Sequence, residues 1–279
     1  MFVPFALGKY TVVGNMRFGG MGEVLKAESV SEDGVVEKWA VKRPLPTVAE
    51  DPDLLSLFWK EAELVRMFKH RAFPKVVDVG VAKGLPYMVM ELVEGVTVAR
   101  LVEHCEAQET SPVRPETWVY LASELAQAVE HIHRFSRGNQ KLVHGDIGMT
   151  NVMVDLNGQL RVIDMGVALA DVDLLRRVLT RRGEVPPSFL TEVGKSPELD
   201  TYAIGKLLVR CLGGVAAIDG HKRLPRPLVE IIKRSVDQTG LYLFRTARGL
   251  RRELAAHLDS SKEEKMTTEL ADAVSNALS

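Results

Sequence analysis

An α+β fold divided into two lobes is what this chain predicts, and three features predict it. Period-two segments rich in β-branched residues dominate the first ninety positions, one helical run interrupts them, and helical periodicity takes over beyond Glu94-Gly95. In order, residues 10–13, 23–27, 39–42, 75–79 and 87–91 read as strands of a small antiparallel sheet. The interruption is residues 54–68, where Leu54, Leu57, Phe58, Leu64, Val65 and Phe68 keep roughly helical spacing. One helix among five strands makes a small lobe over about residues 1–92.

The larger lobe, about 96–258, is expected to be mainly helical, with helices over 98–106, 116–135, 199–211, 227–236 and 246–257. Short strands are expected at 142–143, 151–154 and 160–163, the last two flanking the Asn157-Gly158 turn. Residues 259–279 read as a linker, with Ser260-Ser261 and a Lys/Glu-rich run before Met266, followed by a short helix over 268–278. A cleft is expected at the lobe junction.

Composition narrows the function classes. A chain of 279 residues with 46% hydrophobic content builds a real core. Its 36 basic and 37 acidic residues leave a net charge of −1, so no global electrostatic attraction draws it to nucleic acid or to a membrane surface. The start, Met-Phe-Val-Pro-Phe-Ala-Leu-Gly, lacks the basic region of a secretory signal, and no run of about eighteen apolar residues occurs. Cys105 and Cys211 are the only cysteines and have no metal-ligand spacing, which suits a reducing cytoplasm. His131 and His133, two apart on a helix, point in different directions and make no metal pair.

Four local contexts carry the chemistry. They are F-G-G-M-G-E-V at 18–24, W-A-V-K at 39–42, H-G-D-I-G-M-T-N at 144–151 and I-D-M-G at 163–166. Gly19, Gly20 and Gly22 remove side chains where a hairpin could lie over a triphosphate with its N–H groups facing the phosphate oxygens. A lysine, a glutamate, two aspartates and an asparagine in the order Lys42, Glu61, Asp146, Asn151, Asp164 match what phosphoryl transfer from ATP requires.

Together these contexts resemble the eukaryotic-like (Hanks-type) Ser/Thr protein kinase family, and G-G-M-G-E-V looks most like its bacterial branch. The resemblance runs from about residue 10 to about residue 254 and implies a bilobal protein-kinase-like fold that uses ATP and Mg²⁺. It assigns Lys42 to the α- and β-phosphates, Glu61 as its ion-pair partner with Glu63 as the fallback, and Asp146 as the base for the acceptor hydroxyl. Asn151 and Asp164 fall at the metal-ligand positions. Met90 falls at the gatekeeper, with the Glu91 carbonyl and the Val93 amide facing adenine. Ala40 leaves room for the ring, and Val24 and Met153 sandwich it. His144 is expected to be a structural hydrogen-bonding residue, and Asp200 to brace the catalytic loop from the start of the central helix.

The departures from the family pattern are specific. Its first loop glycine falls on Arg17, which stiffens the loop, and Gly14 does not restore the spacing. The arginine before the catalytic aspartate is Gly145, so the loop offers no cation to a phosphorylated activation segment. The lysine two residues after that aspartate is Gly148, the loss of a charge on the transferring phosphate. The usual Ala-Pro-Glu falls near Pro186-Pro187-Ser188 without its glutamate, and the arginine that pairs with it becomes Leu243, so both partners are gone together. An apolar run over 172–179 is expected to fix the segment as a helix without phosphate on Thr180, Ser188 or Thr191. Only residues 213–224 separate the central helix from the next, a reduced docking surface.

The resemblance therefore implies a Ser/Thr protein kinase with a protein substrate; the lack of a signal or long apolar run leads to the expectation of a soluble, cytoplasmic protein, and Gly145 to independence from activation-loop phosphorylation. Two alternatives share the fold: an ATP-binding pseudokinase or scaffold, favoured by Gly148 and Arg17, and a small-molecule kinase, favoured by the short 213–224 stretch. No motif encodes the substrate's identity or the oligomeric state.

Overall fold

The computed structural model describes residues 2–18, 22–108, 111–137, 140–165, 196–219, 224–239 and 241–279. The chain forms two compact units, Met1–Val93 and Glu94–Ser279. The first unit is an antiparallel sheet of β1 (Phe5–Leu7), β2 (Tyr10–Phe18), β3 (Gly22–Val30), β4 (Val36–Pro44), β5 (Val76–Ala82) and β6 (Leu85–Glu91), in the spatial order β1-β2-β3-β4-β6-β5. Side chains alternate between its faces. One face carries Tyr10, Val12, Leu25, Ala27, Val41 and Val89 into a buried cluster. The pairing Leu25↔Val41↔Val89 that builds this cluster puts Val24, Ala40, Lys42, Met88 and Met90 on the opposite face. A slip of one residue would drive the Lys42 ammonium into the apolar cluster, so the hydrophobic pattern sets the register.

Two helices join the sheet, α1 (Pro46–Ala49) and α2 (Pro52–Met67). The Asp51 carboxylate accepts from the N–H groups of Asp53 and Leu54, and Pro52 stands where a missing donor costs nothing, so α2 starts there. Its buried side includes Phe58, Ala62, Leu64, Val65 and Glu61. The sequence predicted five strands and one helix here; β1 and α1 are additions, too short at 3 and 4 residues to display a period.

The second unit is mainly helical. β7 (Gly95–Thr97) leads into α3 (Val98–Glu106), whose first turn is capped by the Thr97 hydroxyl accepting from Arg100 N–H at 3.2 Å. Next come α4 (Pro115–His133), a two-residue pair β8 (Ser136–Arg137) and β9 (Gln140–Lys141), and the hairpin β10 (Val152–Asp155) and β11 (Leu160–Val162). Then follow α5 (Pro197–Cys211), α6 (Val215–Asp219), α7 (Arg226–Ser235), α8 (Ala247–Ala255) and α9 (Glu263–Leu278). α4 is buried nearly all round: Trp118, Val119, Leu121, Ala122, Leu125, Ala126, Ala128, Val129 and Ile132 sit in the core, with α5, α8 and α9 packed on it. β10 pairs with both β7 and β11, so the strand after the 144–151 loop is the middle of a three-stranded sheet. Asp155 closes the hairpin: its carboxylate accepts from Asn157 and Gln159 N–H, both at 2.9 Å, and Gly158 N–H donates to its carbonyl.

Three expectations change. Residues 142–143 are extended without strand pairing; Leu142 N–H instead donates to the Phe135 carbonyl. The 213–224 stretch contains α6. The terminal helix begins at Glu263, five residues before the expected start, because the Lys/Glu run faces solvent while Met266, Leu270, Ala273, Val274 and Ala277 are buried. The expected helix at 172–179, together with Gly19, Gly20, Gly166, Pro186-Pro187-Ser188, Thr180 and Thr191, lies outside the described residues.

α9 is bolted to the unit by polar contacts as well. Arg114, the N-cap of α4, has no side-chain cap of its own; Glu269 accepts from its backbone N–H at 2.5 Å and its Nε–H at 2.6 Å. A carboxylate thus sits at the positive end of α4. Tyr120 and Thr267 share a hydrogen bond at 3.3 Å, and the Thr267 carbonyl lies so close over Gly158 that any side chain there would overlap it. A chain ending at Leu258 is therefore expected to be insoluble or to melt about 10 °C lower or more. Glu269→Ala is expected to cost about 1–2 kcal/mol in urea unfolding. Unchanged stability in both variants would contradict this packing.

Candidate active site

In the first unit, the sheet register presents Lys42 from β4 toward α2. Its ammonium donates to both carboxylate oxygens of Glu61, at 2.6 and 2.8 Å, with side-chain exposures of 14% and 5%. Glu63, the fallback partner, is exposed. A pair this enclosed holds its geometry because either charge left alone would be costly to desolvate. Val24 is the cross-strand partner of Lys42, and Ala40 of Met90, so four predicted residues share one face of the sheet. Gly22 opens β3 opposite Pro44; a side chain there would come within 2.6 Å of the Arg43 carbonyl, so the strands approach closely only with glycine. Beside it, Arg43 Nε–H donates to Glu23 at 2.6 Å. Arg17 pairs with Val24 across β2 and β3. Glu91 ends β6 with its N–H on the Lys75 carbonyl, and Val93, the last residue of the unit, is buried.

In the second unit, the 144–151 loop is built on one carboxylate. Asp200, in the first turn of α5 and 0% exposed, accepts from His144 N–H and Gly145 N–H at 2.8 Å each, and its Oδ2 lies 2.8 Å from His133 Nε2. Burial alone would raise the Asp200 carboxyl's pKa. The hydrogen bond and attraction of His133, helped by His144 and the Gly145 N–H, outweigh it and hold the group below the usual carboxylate range. Gly145 has φ of 75°, a left-handed conformation that the arginine found there in the family would strain to adopt. His144 is fully buried, and its Nδ1 accepts from Asp146 N–H at 3.2 Å, the structural role expected of it.

Asp146 and Asn151 meet at the end of that loop. Asn151 Nδ2 donates to the Asp146 carbonyl at 2.9 Å and to Asp146 Oδ2 at 2.8 Å, and both residues are buried. Two acceptors on one side fix the amide: a flipped Asn151 would set its oxygen against both, so Oδ1 must point the other way. Ile163 N–H donates to the Asn151 carbonyl at 2.8 Å, tying the residue before Asp164 to the same loop. Asp164 itself has φ of 74°, a left-handed backbone that costs a non-glycine residue roughly 1–2 kcal/mol. The Met149 carbonyl accepts from Ala99 N–H in the first turn of α3. Met153 follows on β10 and is buried. A Cβ built on Gly148 meets no atom within 4 Å, so this position is open.

Sequence reading did not find every partner. In sequence His133 reads only as a helix residue without metal geometry, and its bond to Asp200, 67 residues on, has no local signal. Leu243 and Phe244 are buried, and the Arg234 guanidinium stacks 4.3 Å from the Phe244 ring centroid. Arg234 also donates to the Tyr242 carbonyl at 2.6 Å.

An antiparallel sheet with a lysine–glutamate pair and a mainly helical unit with an Asp/Asn loop define a protein-kinase fold. The chain belongs to the protein kinase domain family, whose sequence profile matches residues 10–268. The tyrosine-protein kinase MasK of Myxococcus xanthus is 29% identical over 218 residues, covering 74% of this chain and 33% of its own length. The serine/threonine-protein kinase PrkC of Bacillus subtilis is 28% identical over 218 residues, covering 77% and 32%. The chain thus spans about a third of the length of these relatives. Among solved structures, the apo form of PpkA-294 superposes with a TM-score of 0.65 at 20% identity, over 90% of this chain and 97% of that one. The Mycobacterium tuberculosis PknI kinase domain superposes with a TM-score of 0.63 at 19% identity, over 91% and 98%. These two likenesses are of fold.

Asp200→Asn replaces an oxygen with an amide that must face an N–H donor, and is expected to cost about 3 kcal/mol in denaturant unfolding. The pH dependence has a definite sign. The native carboxyl titrates lower than the unfolded one, so its contribution is complete above the ordinary value of about 3.9 and is lost as pH falls through the depressed native value. Stability of the parent protein should therefore fall more steeply with acid below about pH 4 than that of the variant. Parallel acid titrations would contradict the assignment.

Proposed function

We propose that this protein is an ATP- and Mg²⁺-dependent phosphotransferase that moves the γ-phosphate of ATP to a serine or threonine hydroxyl of a protein substrate in the bacterial cytoplasm. The observation that carries the reading is the enclosed Lys42–Glu61 ion pair, formed by two residues 19 apart in sequence. In this reading Lys42, oriented by Glu61, holds the α- and β-phosphates, and Gly19, Gly20 and Gly22 bring backbone N–H groups to the triphosphate. Val24, Ala40, Met90 and Met153 enclose the adenine ring, with the Glu91 carbonyl and the Val93 amide as its hydrogen-bonding edge.

Asp146 accepts the proton of the acceptor hydroxyl. Its Oδ2 is engaged by Asn151, which steadies the carboxylate while it acts as base. The donor set suits a hard cation: Asn151 Oδ1, directed away from Asp146 by the amide's own hydrogen bonds, and the Asp164 carboxylate are oxygen ligands of the kind Mg²⁺ prefers. A divalent cation held by Asn151 and Asp164 would supply positive charge against the negative charge that develops on transfer.

The serine/threonine preference follows the bacterial relatives such as PrkC. The cytoplasmic location is supported by the two free thiols, Cys105 and Cys211, which suit a reducing compartment. Independence from activation-segment phosphorylation is supported by Gly145, whose backbone is already held by Asp200 and which brings no cation to a phosphate. One second reading has an observation behind it: the open position at Gly148 favours a protein that binds ATP without transferring it.

Incubation with γ-labelled ATP and Mg²⁺, with and without a generic protein substrate, separates the two. Transfer of label is expected; stabilisation by ATP with no transfer would establish the second reading. Millimolar ATP with Mg²⁺ should stabilise the fold by about 2.7 kcal/mol at a hundred times its Kd, and no thermal shift would contradict both. Asp146→Asn should lower kcat by about a hundredfold to ten-thousandfold with ATP affinity nearly intact. Replacing Thr180, Ser188 and Thr191 together with alanine should leave the initial rate within about tenfold, and a larger fall would show a phosphate-switched segment.

A further inference from the structure

Two exposed apolar patches with rims of opposite charge lie on different units of the chain. The first is the tip of the β3–β4 hairpin, where Val30 and Val36 are cross-strand partners and Val35 precedes them into the turn, all three more than half exposed. The tip is closed by hydrogen bonds: Ser31 N–H donates to the Val35 carbonyl at 2.9 Å, Gly34 N–H to the Ser31 carbonyl at 3.0 Å, and Val35 N–H to the Ser31 hydroxyl at 3.1 Å. Residues 29–37 carry Glu32, Asp33 and Glu37 and no cation. The second patch is the turn after α7. There Asp237 accepts from Tyr242 N–H at 2.9 Å, Thr239 Oγ1 accepts from Leu241 N–H at 3.3 Å, and the Tyr242 carbonyl accepts from Arg234 Nε–H at 2.6 Å. These bonds hold the backbone while Leu241 and Tyr242 stand 73% and 68% exposed. Residues 234–248 carry Arg234, Arg245 and Arg248 against the single anion Asp237. Glu32, Asp33, Arg245 and Arg248 are exposed and form no ion pair among the described residues. A lone exposed apolar side chain is ordinary, whereas an ordered pair or trio within a rim of one sign has the make-up of a recognition patch.

We propose that the two patches are the halves of one interface, through which the hairpin tip of one copy of the chain seats on the Leu241–Tyr242 turn of a second copy. Charge complementarity selects the second copy as the partner: the chain carries both an anionic apolar tip and a cationic apolar turn, and its net charge of −1 sets up little overall repulsion between copies. Tip on tip, or turn on turn, would place charges of one sign together. The contact is therefore heterologous, each copy giving one patch and receiving on the other, so association continues into a ring or an open chain. Three valines against a leucine and a tyrosine make a small contact, which places it with weak, reversible interfaces. The stiffness of the β-branched valines limits the side-chain entropy lost when they are covered. Neither patch contains a residue that the phosphotransferase reading uses, so either proposal can fail without the other.

The test is sedimentation equilibrium of the full chain and of two charge-reversed variants, one with Glu32→Lys and Asp33→Lys, the other with Arg245→Glu and Arg248→Glu, each checked for an unchanged melting curve. Between about 10 µM and about 1 mM the parent's weight-average mass should rise by about 1.5-fold or more, and less so at high salt. Each variant alone should remain monomeric over that range, because its tip and its turn now carry the same sign. An equal mixture of the two should associate again, since each supplies the patch that the other has lost. A parent that is monomeric throughout overturns the proposal. So does association that survives in either variant, which would mark a contact of another kind, and so does a mixture that stays monomeric.

Discussion

The Asp200 carboxylate is the contact on which the second unit's loop depends. A loop that carries functional side chains cannot use strand or helix ladders for its backbone groups, yet buried N–H groups must find acceptors. One carboxylate supplies them for His144 and Gly145 and takes His133 as well. Because Asp200 belongs to α5 and His133 to α4, the loop is referenced to two core helices and not to its own flanks. The remaining loop positions follow: His144 holds the Asp146 backbone, Asn151 holds the Asp146 carboxylate, and Ile163, just past the end of β11 and before Asp164, donates its N–H to the Asn151 carbonyl. An open Gly148 and a left-handed Gly145 are tolerated within this loop because the hydrogen bonds fix the chain where side chains are missing.

In the first unit an apolar constraint does the corresponding job. Burial of Leu25, Val41 and Val89 on one face sets the strand register to within one residue, and Lys42 is delivered to Glu61 by that register. The polar pair and the apolar cluster are thus two faces of the same strand pairing.

Much of this was legible because it is local. Thr97 followed by an amphipathic run gives α3 with the expected bounds, and alternation gives the central strands. Glu61 was legible because its motif context is contiguous. What escaped has two physical sources. Elements such as β1, α1 and α6 are shorter than the period that would reveal them. Contacts such as Glu269 with Arg114, 155 residues apart, or His133 with Asp200, are created by the fold and have no neighbourhood in sequence. The start of α9 was hidden for a related reason: a charged first turn looks like a linker until the helix it belongs to is seen docked on α4. The orientation of the Asn151 amide, which decides what its oxygen can bind, exists only once Asp146 is beside it.

The most direct measurement of the central claim is native-state amide hydrogen exchange at His144 and Gly145. If the Asp200 carboxylate holds the loop, these two N–H groups should exchange as slowly as the core amides of α4, opening only with global unfolding. Exchange as fast as in the exposed turn at Gly34 would mean that the loop opens independently, and that the architecture described for it does not rest on Asp200.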